Sequence, residues 1–222
     1  MNTEFTIREQ QNKHFVIELF NADEPLMASI AKSKQLAGAT VADDYKTVYF
    51  RASSVKTFTQ YRNDLIAARR LDYESTLRMI YALSNQLECL INQYRKVFYL
   101  FSADNLLVIN DDKFIYVSSD HLVDVNIDED KWMIVFTRPF SKTDGFVSPE
   151  ILMIDTIPTK IDLRTIYFGV GALAVYCLLN TKIQPGDVEK TGFLDEIKGT
   201  KLYWFLMRCL NEDQTKRCLL YI

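Results

Sequence analysis

The chain has 222 residues, of which 48% are apolar and 13% aromatic, enough for one folded domain or one domain in two lobes and unlike a disordered chain. A formal net charge of −3 leaves no broad basic surface, so nucleic acid is not the expected partner. No run reaches about 18 consecutive apolar residues and Met1-Asn2-Thr3-Glu4 carries no secretory pattern, so a soluble, cytoplasmic protein without a membrane span is expected.

Residues 1–14 are polar and read as peripheral. Phe15-Val16-Ile17-Glu18-Leu19-Phe20 reads as a strand, and Asn21-Ala22-Asp23-Glu24-Pro25 as the turn closing it. Residues 26–37 read as a short helix, 47–52 as a second strand and 57–68 as another short helix. The spacing then predicts a long amphipathic helix over 72–94. Asp72 is its N-cap, and Leu77, Ile80, Tyr81, Leu87, Leu90, Ile91 and Tyr94 share its buried face.

Leu106-Leu107-Val108-Ile109 and Phe114-Ile115-Tyr116-Val117 are short apolar runs separated by Asn110-Asp111-Asp112-Lys113, the pattern of a β-hairpin. Leu122-Val123-Asp124-Val125 and Trp132-Met133-Ile134-Val135-Phe136 read as two more strands around an acidic turn at 126–130, which lacks the spacing and glycine of an EF-hand. Pro149 suits the first turn of a helix, and Glu150 beside it suits the helix dipole. Residues 166–179 carry no charge and are apolar all round, which predicts a fully buried helix too short to cross a bilayer. Residues 202–210 form the last helical stretch.

The cysteines are Cys89, Cys177, Cys209 and Cys218, none with C-x-x-C spacing, and the only histidines are His14 and His121. Buried free thiols in a reducing compartment account for that pattern better than a zinc site does. Of the 7 glycines only Gly38 precedes Gly145, so the first half cannot build a glycine-rich phosphate loop.

A helix, a loop closing on Asn105, an Ile/Leu/Val strand and a hairpin follow one another here in an order that resembles the centre of a protein kinase catalytic domain. Three further matches extend the resemblance: Gly145-Phe146-Val147-Ser148-Pro149-Glu150 is similar to the end of a kinase activation segment, residues 166–179 to its central buried helix, and Cys209-Leu210 followed by Asp213 and Arg217 to its closing motif. In the overall flavour of a short and degenerate chain it is similar to kinase-like proteins of large DNA viruses. The resemblance implies an α+β, protein kinase-like fold. Residues 1–70 would be a reduced or divergent small lobe with the hinge, and 71–222 a mainly helical large lobe. It also implies an ion pair between Glu150 and Arg217.

The chemistry is missing from that frame. The carboxylate that orients the attacking hydroxyl would stand at Leu100, and the metal-holding carboxylate at Ser118, in Ser118-Ser119-Asp120. Only Asn105 keeps the family's residue. Asp120 lies two positions late and is the one weak metal candidate. No lysine–glutamate pair can be assigned in the first 70 residues, where Lys32 and Lys34 read as solvated. In the central helix, Asp162 stands seven residues before Gly169 where the family has five, and Arg164 holds the matched position.

The expected function is therefore that of a pseudokinase. It would have no catalytic residues, no metal and no cofactor, ATP would not be its ligand, and it would act as an interaction or assembly component with a protein partner or a second copy. The resemblance places it in the host cytoplasm or the virion if it is viral. The alternatives are a divergent kinase or other transferase using Asp104, Asp120 and Asp124, and an unrelated α+β structural protein.

Overall fold

Residues 4–64, 71–143, 145–183 and 191–217 are described by the computed structural model. Among them the chain is α+β, with three antiparallel sheets and six α-helices. At the N-terminus apolar residues alternate at Phe5 and Ile7, and the segment forms β1 (Phe5–Glu9). It pairs with β2 (His14–Leu19) through a tight turn in which Asn12 and Lys13 both adopt positive φ. The expectation that residues 1–14 are peripheral fails for the described part, residues 4–14: Phe5 reaches the core, and Glu4 plays the part described below.

The next helix, α1 (Glu24–Lys32), starts earlier than its apolar pattern suggests. Asp23 caps it, its carboxylate accepting from the Leu26 amide at 2.9 Å, and Pro25 sits in the first turn. It also stops earlier. Ser33 ends it, and the expected helix through Ala37 gives way to β3 (Ala37–Val41), which pairs with β4 (Thr47–Arg51). The first sheet runs β1-β2-β4-β3. Local propensity at 33–37 is weak, and the open edge of β4 decides the matter.

After β5 (Val55–Thr57) comes α2 (Phe58–Asp64); the rest of the helix expected to 68 lies outside the described residues. The long helix α3 (Tyr73–Cys89) has Asp72 as its N-cap, accepting from the Ser75 amide at 2.7 Å, and continues as a π-turn over Leu90–Tyr94. Its inner face is only partly the one the period gave: Ile80, Leu87, Leu90 and Ile91 are buried, Leu77 and Tyr94 are half-buried, and Met79, Ala82 and Leu83 join the core. Tyr81 is 57% exposed, while Gln86 is buried. Gln86 is held there by two bonds to the backbone of Tyr116: its amide donates to the carbonyl at 2.7 Å and its oxygen accepts from the N–H at 3.0 Å.

β7 (Leu106–Ile109) and β8 (Lys113–Tyr116) form the expected hairpin, with every residue of β7 buried. Asn110 and Asp111 turn it at positive φ, where Asn and Asp are tolerated. The Asn110 side-chain oxygen also accepts from the Ser53 amide at 2.6 Å, which fixes β5 beside β7. The third sheet runs β11-β10-β9-β6, from β6 (Lys96–Phe98), β9 (Leu122–Asp128), β10 (Lys131–Phe136) and β11 (Thr159–Asp162). The acidic turn of this sheet is shorter than expected. Only Glu129 and Asp130 lie between paired residues, both at positive φ.

α4 (Pro149–Leu152), α5 (Ile166–Leu179) and α6 (Lys201–Cys209) complete the fold. α5 spans the uncharged run and is buried on nearly every side. Cys177 and Cys209 are buried free thiols, Cys89 is half-buried, and Cys218 lies outside the described residues. No helix among the described residues is long and apolar enough to cross a membrane.

Candidate functional site

The segment after β6 determines the site. Phe101 exchanges two backbone hydrogen bonds with Phe146, at 2.7 and 3.3 Å, which pins residues 99–101 against the stretch before α4. Leu100 is fully buried there, and a Cβ on Gly145 would collide with its Cδ2 and with the Phe101 carbonyl. Position 100 is therefore core, with its side chain turned away from water. Beyond it Ser102 caps a single 3₁₀ turn, Ala103–Asn105, that delivers Asp104 and Asn105 to the start of β7.

A cleft of about 750 Å³ opens over this turn. Glu4, Asp104, Asn105, Asp120 and His121 line it together with Thr59, Tyr99, Phe140, Tyr176 and Lys182. Its back is aromatic, with Tyr99 edge-on to Phe136 and Phe140 at ring distances of 5.4 and 5.5 Å. Tyr116, buried behind, takes a hydrogen bond from the Ser102 amide at 2.8 Å, and its hydroxyl lies 2.8 Å from Nδ1 of His121. Burial holds the Tyr116 hydroxyl well above its ordinary pKa, so it stays a neutral hydrogen-bonding group.

Glu4 is the residue that sequence reasoning missed. Its carboxylate accepts from the Ser118 hydroxyl at 2.8 and 3.0 Å, from the Ser119 amide at 2.7 Å, from the Asp120 amide at 3.0 Å and from the Asn105 side-chain amide at 3.2 Å. The Ser118 oxygen accepts in turn from the His121 amide at 3.2 Å. The available signal was the alternation of Phe5 and Ile7, which marks a strand and so places Glu4 at its start. Nothing local pointed to where that strand lies.

The remaining candidates separate. Asp104 lines the cleft and accepts from the Thr59 hydroxyl at 2.7 Å. The Asp120 carboxyl is raised in pKa, first by partial burial and then by the charge of Glu4. Asp124 points elsewhere, paired with Lys96 at 2.7 Å. Lys32 bonds Gln93 in the π-turn that follows α3, and Lys34 is exposed. Asp162 caps the turn before α5 through the Arg164 amide at 2.8 Å.

No protein-family model matches the chain, and no curated protein matches it.

Away from the cleft, Arg217 donates from both terminal nitrogens to the two oxygens of Glu150, at 2.9 and 3.0 Å. Nε of Arg217 also donates to the Asn211 carbonyl at 2.6 Å, and the guanidinium lies over the Phe168 ring. The Thr165 hydroxyl adds a third donor to Glu150, at 2.9 Å. This pair ties the start of α4 to the turn after α6. Among the described residues no group of three or more His, Cys, Asp or Glu side chains converges as a metal site.

Proposed function

We propose that the chain is a kinase-like protein without phosphotransfer activity, a pseudokinase that acts through protein contacts. The reading rests chiefly on the two stations where phosphoryl transfer needs carboxylates. Position 100 holds a buried Leu, and position 118 holds a Ser whose hydroxyl is donated to Glu4. Transfer of a phosphoryl group requires the negative charge of the phosphates to be neutralised by a held cation. Among the described residues that line this cleft, Glu4, Asp104 and Asp120 outnumber the one lysine, Lys182, so a triphosphate meets net repulsion.

The order α3, β7–β8 hairpin, Pro149-Glu150, α5 and Arg217 supports the kinase-like frame, with residues 1–70 as a reduced small lobe and 71–222 as the large lobe. The bidentate Glu150–Arg217 pair joins the two motifs that the family keeps in those places. Large apolar side chains left in water, among them Phe20, Tyr49, Ile127, Met153 and Trp204, are what an interaction protein or a self-associating one would present.

Thermal shift and calorimetric titration with ATP, with and without magnesium or manganese, test the proposal. No metal-dependent binding is expected. A low-micromolar, metal-dependent dissociation constant would replace it with the second reading, a transferase built on Asp104 and Asp120. The fact that both carboxylates line one cleft is what favours that alternative. Transfer of radiolabelled phosphate abolished by Asp120→Asn would decide for it.

A further inference from the structure

The donors around Glu4 form a pocket for a carboxylate in their own right. Ser118 is fully buried and Asn105 nearly so, and successive amides at Ser119 and Asp120 converge on the same oxygen of Glu4. Consecutive backbone N–H groups at a turn make an anion-binding concavity. Here a hydroxyl and a side-chain amide complete it, and Glu4 saturates both of its oxygens on it.

The ligand arrives on an unusual carrier. Among the described residues β1 is the outermost strand of its sheet, paired on one side only, and little besides Phe5 and Ile7 packs inward from it. The turn that returns the chain to β2 holds Asn12 and Lys13 at positive φ, a conformation that costs a lysine steric energy. The Glu4 carbonyl accepts from the Phe20 amide at 3.1 Å, so its backbone belongs to the first sheet while its side chain crosses to the residues after β8.

We propose that the turn Ser118–Asp120 together with Asn105 is a carboxylate-binding site, and that Glu4 is its displaceable resident ligand, delivered in cis by the N-terminal strand as a latch across the cleft. Releasing the latch frees the cradle for an acidic side chain carried by another strand or protein. The inference rests on the donor geometry alone and stands whether or not the kinase-like reading holds.

Hydrogen exchange resolved to single amides tests it on the full chain. Glu4→Ala should raise exchange at the Ser119 and Asp120 amides by about tenfold or more, while Leu107 and Val108 in β7 keep their protection. Glu4→Gln, which turns an NH₂ group towards the same donors, should give much of that increase without removing side-chain volume. Acetate at about 50 mM should restore protection in Glu4→Ala and have no effect on the unaltered protein, where Glu4 already fills the cradle. Chloride at equal ionic strength should not substitute. Unchanged exchange in Glu4→Ala, or rescue no better by acetate than by chloride, overturns the proposal. Loss of protection that spreads equally into β7 overturns it too, because Glu4 would then be a general support of the fold.

Discussion

Arg217 has no side-chain surface in water, and Glu150 keeps 20% of its own. Removing one member strands the other, which costs about 3 kcal/mol at the lower end of the range for buried pairs, given the partial exposure of Glu150. At about 2–4 °C per kcal/mol for a chain of this size, Glu150→Gln and Arg217→Met should each lower the melting temperature by about 6–12 °C. The double variant should lose much less than the sum. The pair also has a pH signature. Burial pushes the Glu150 carboxyl up, but the hydrogen bond and charge of Arg217, with help from Ser148 and Thr165, outweigh it and leave the pKa below the usual value. Because the folded value lies below the unfolded one, this stabilisation is complete above the ordinary carboxyl range and disappears as pH falls through the folded value. Urea midpoints measured between neutrality and acid should show a smaller acid loss in Glu150→Gln than in the parent. Tyr116→Phe tests a second buried group, since it removes the hydroxyl that accepts from the Ser102 amide and meets Nδ1 of His121. It should cost about 1–3 kcal/mol by urea unfolding.

Two glycines show how closely the elements are fitted. A Cβ on Gly171 of α5 would lie 2.7 Å from Cβ of Cys209 in α6, so the two helices touch nearly backbone to side chain. Gly171→Ala forces them apart and should cost about 1–3 kcal/mol, the range for overpacking a filled interior. A Cβ on Gly169 would meet the Phe101 ring at 2.9 Å and the Phe146 carbonyl at 3.0 Å, which seats α5 under the 99–101 segment. That seating also fixes what a change at position 100 can do. Leu100→Asp puts a carboxylate into a fully buried apolar site, so the variant should be strongly destabilised and, on the reading proposed above, should transfer no phosphate. A melting curve and a phosphate-transfer assay on the same preparation check both halves of that expectation.

For the whole molecule, the contrast is between a filled interior and a surface that leaves large apolar groups in water. Met153 is 76% exposed and Trp204 60%. In residues 4–64 and 122–140, Phe20, Tyr49 and Ile127 stand outward. Cross-linking and co-purification from the native setting should recover a defined partner or a second copy of the chain. Phe20→Ser and Ile127→Ser should weaken that capture while moving the melting temperature by less than about 2 °C, as surface changes do. Recovery of monomer alone would end the interaction reading.

The sequence by itself determined the elements whose pattern is local. The uncharged run 166–179 is α5 residue for residue, because a helix apolar on all sides has nowhere to lie except the interior. The hairpin at 106–116 followed from two apolar runs around Asn and Asp, and α3 from its period and its Asp72 cap. The order of the motifs also singled out Glu150 and Arg217, although only the fold supplied their bidentate geometry. Tertiary structure decided the rest. It turned 37–41 into a strand because β4 offered an open edge, sent Tyr81 to solvent, and buried the polar Gln86 because β8 offered it two backbone partners. Above all it set Glu4 in the cleft, 114 positions from the serine it binds. A periodic pattern records which face of an element is buried and says nothing about what that face meets. The partners of Glu4 exist only once the N-terminal strand has paired and the turn after β8 has closed beside it.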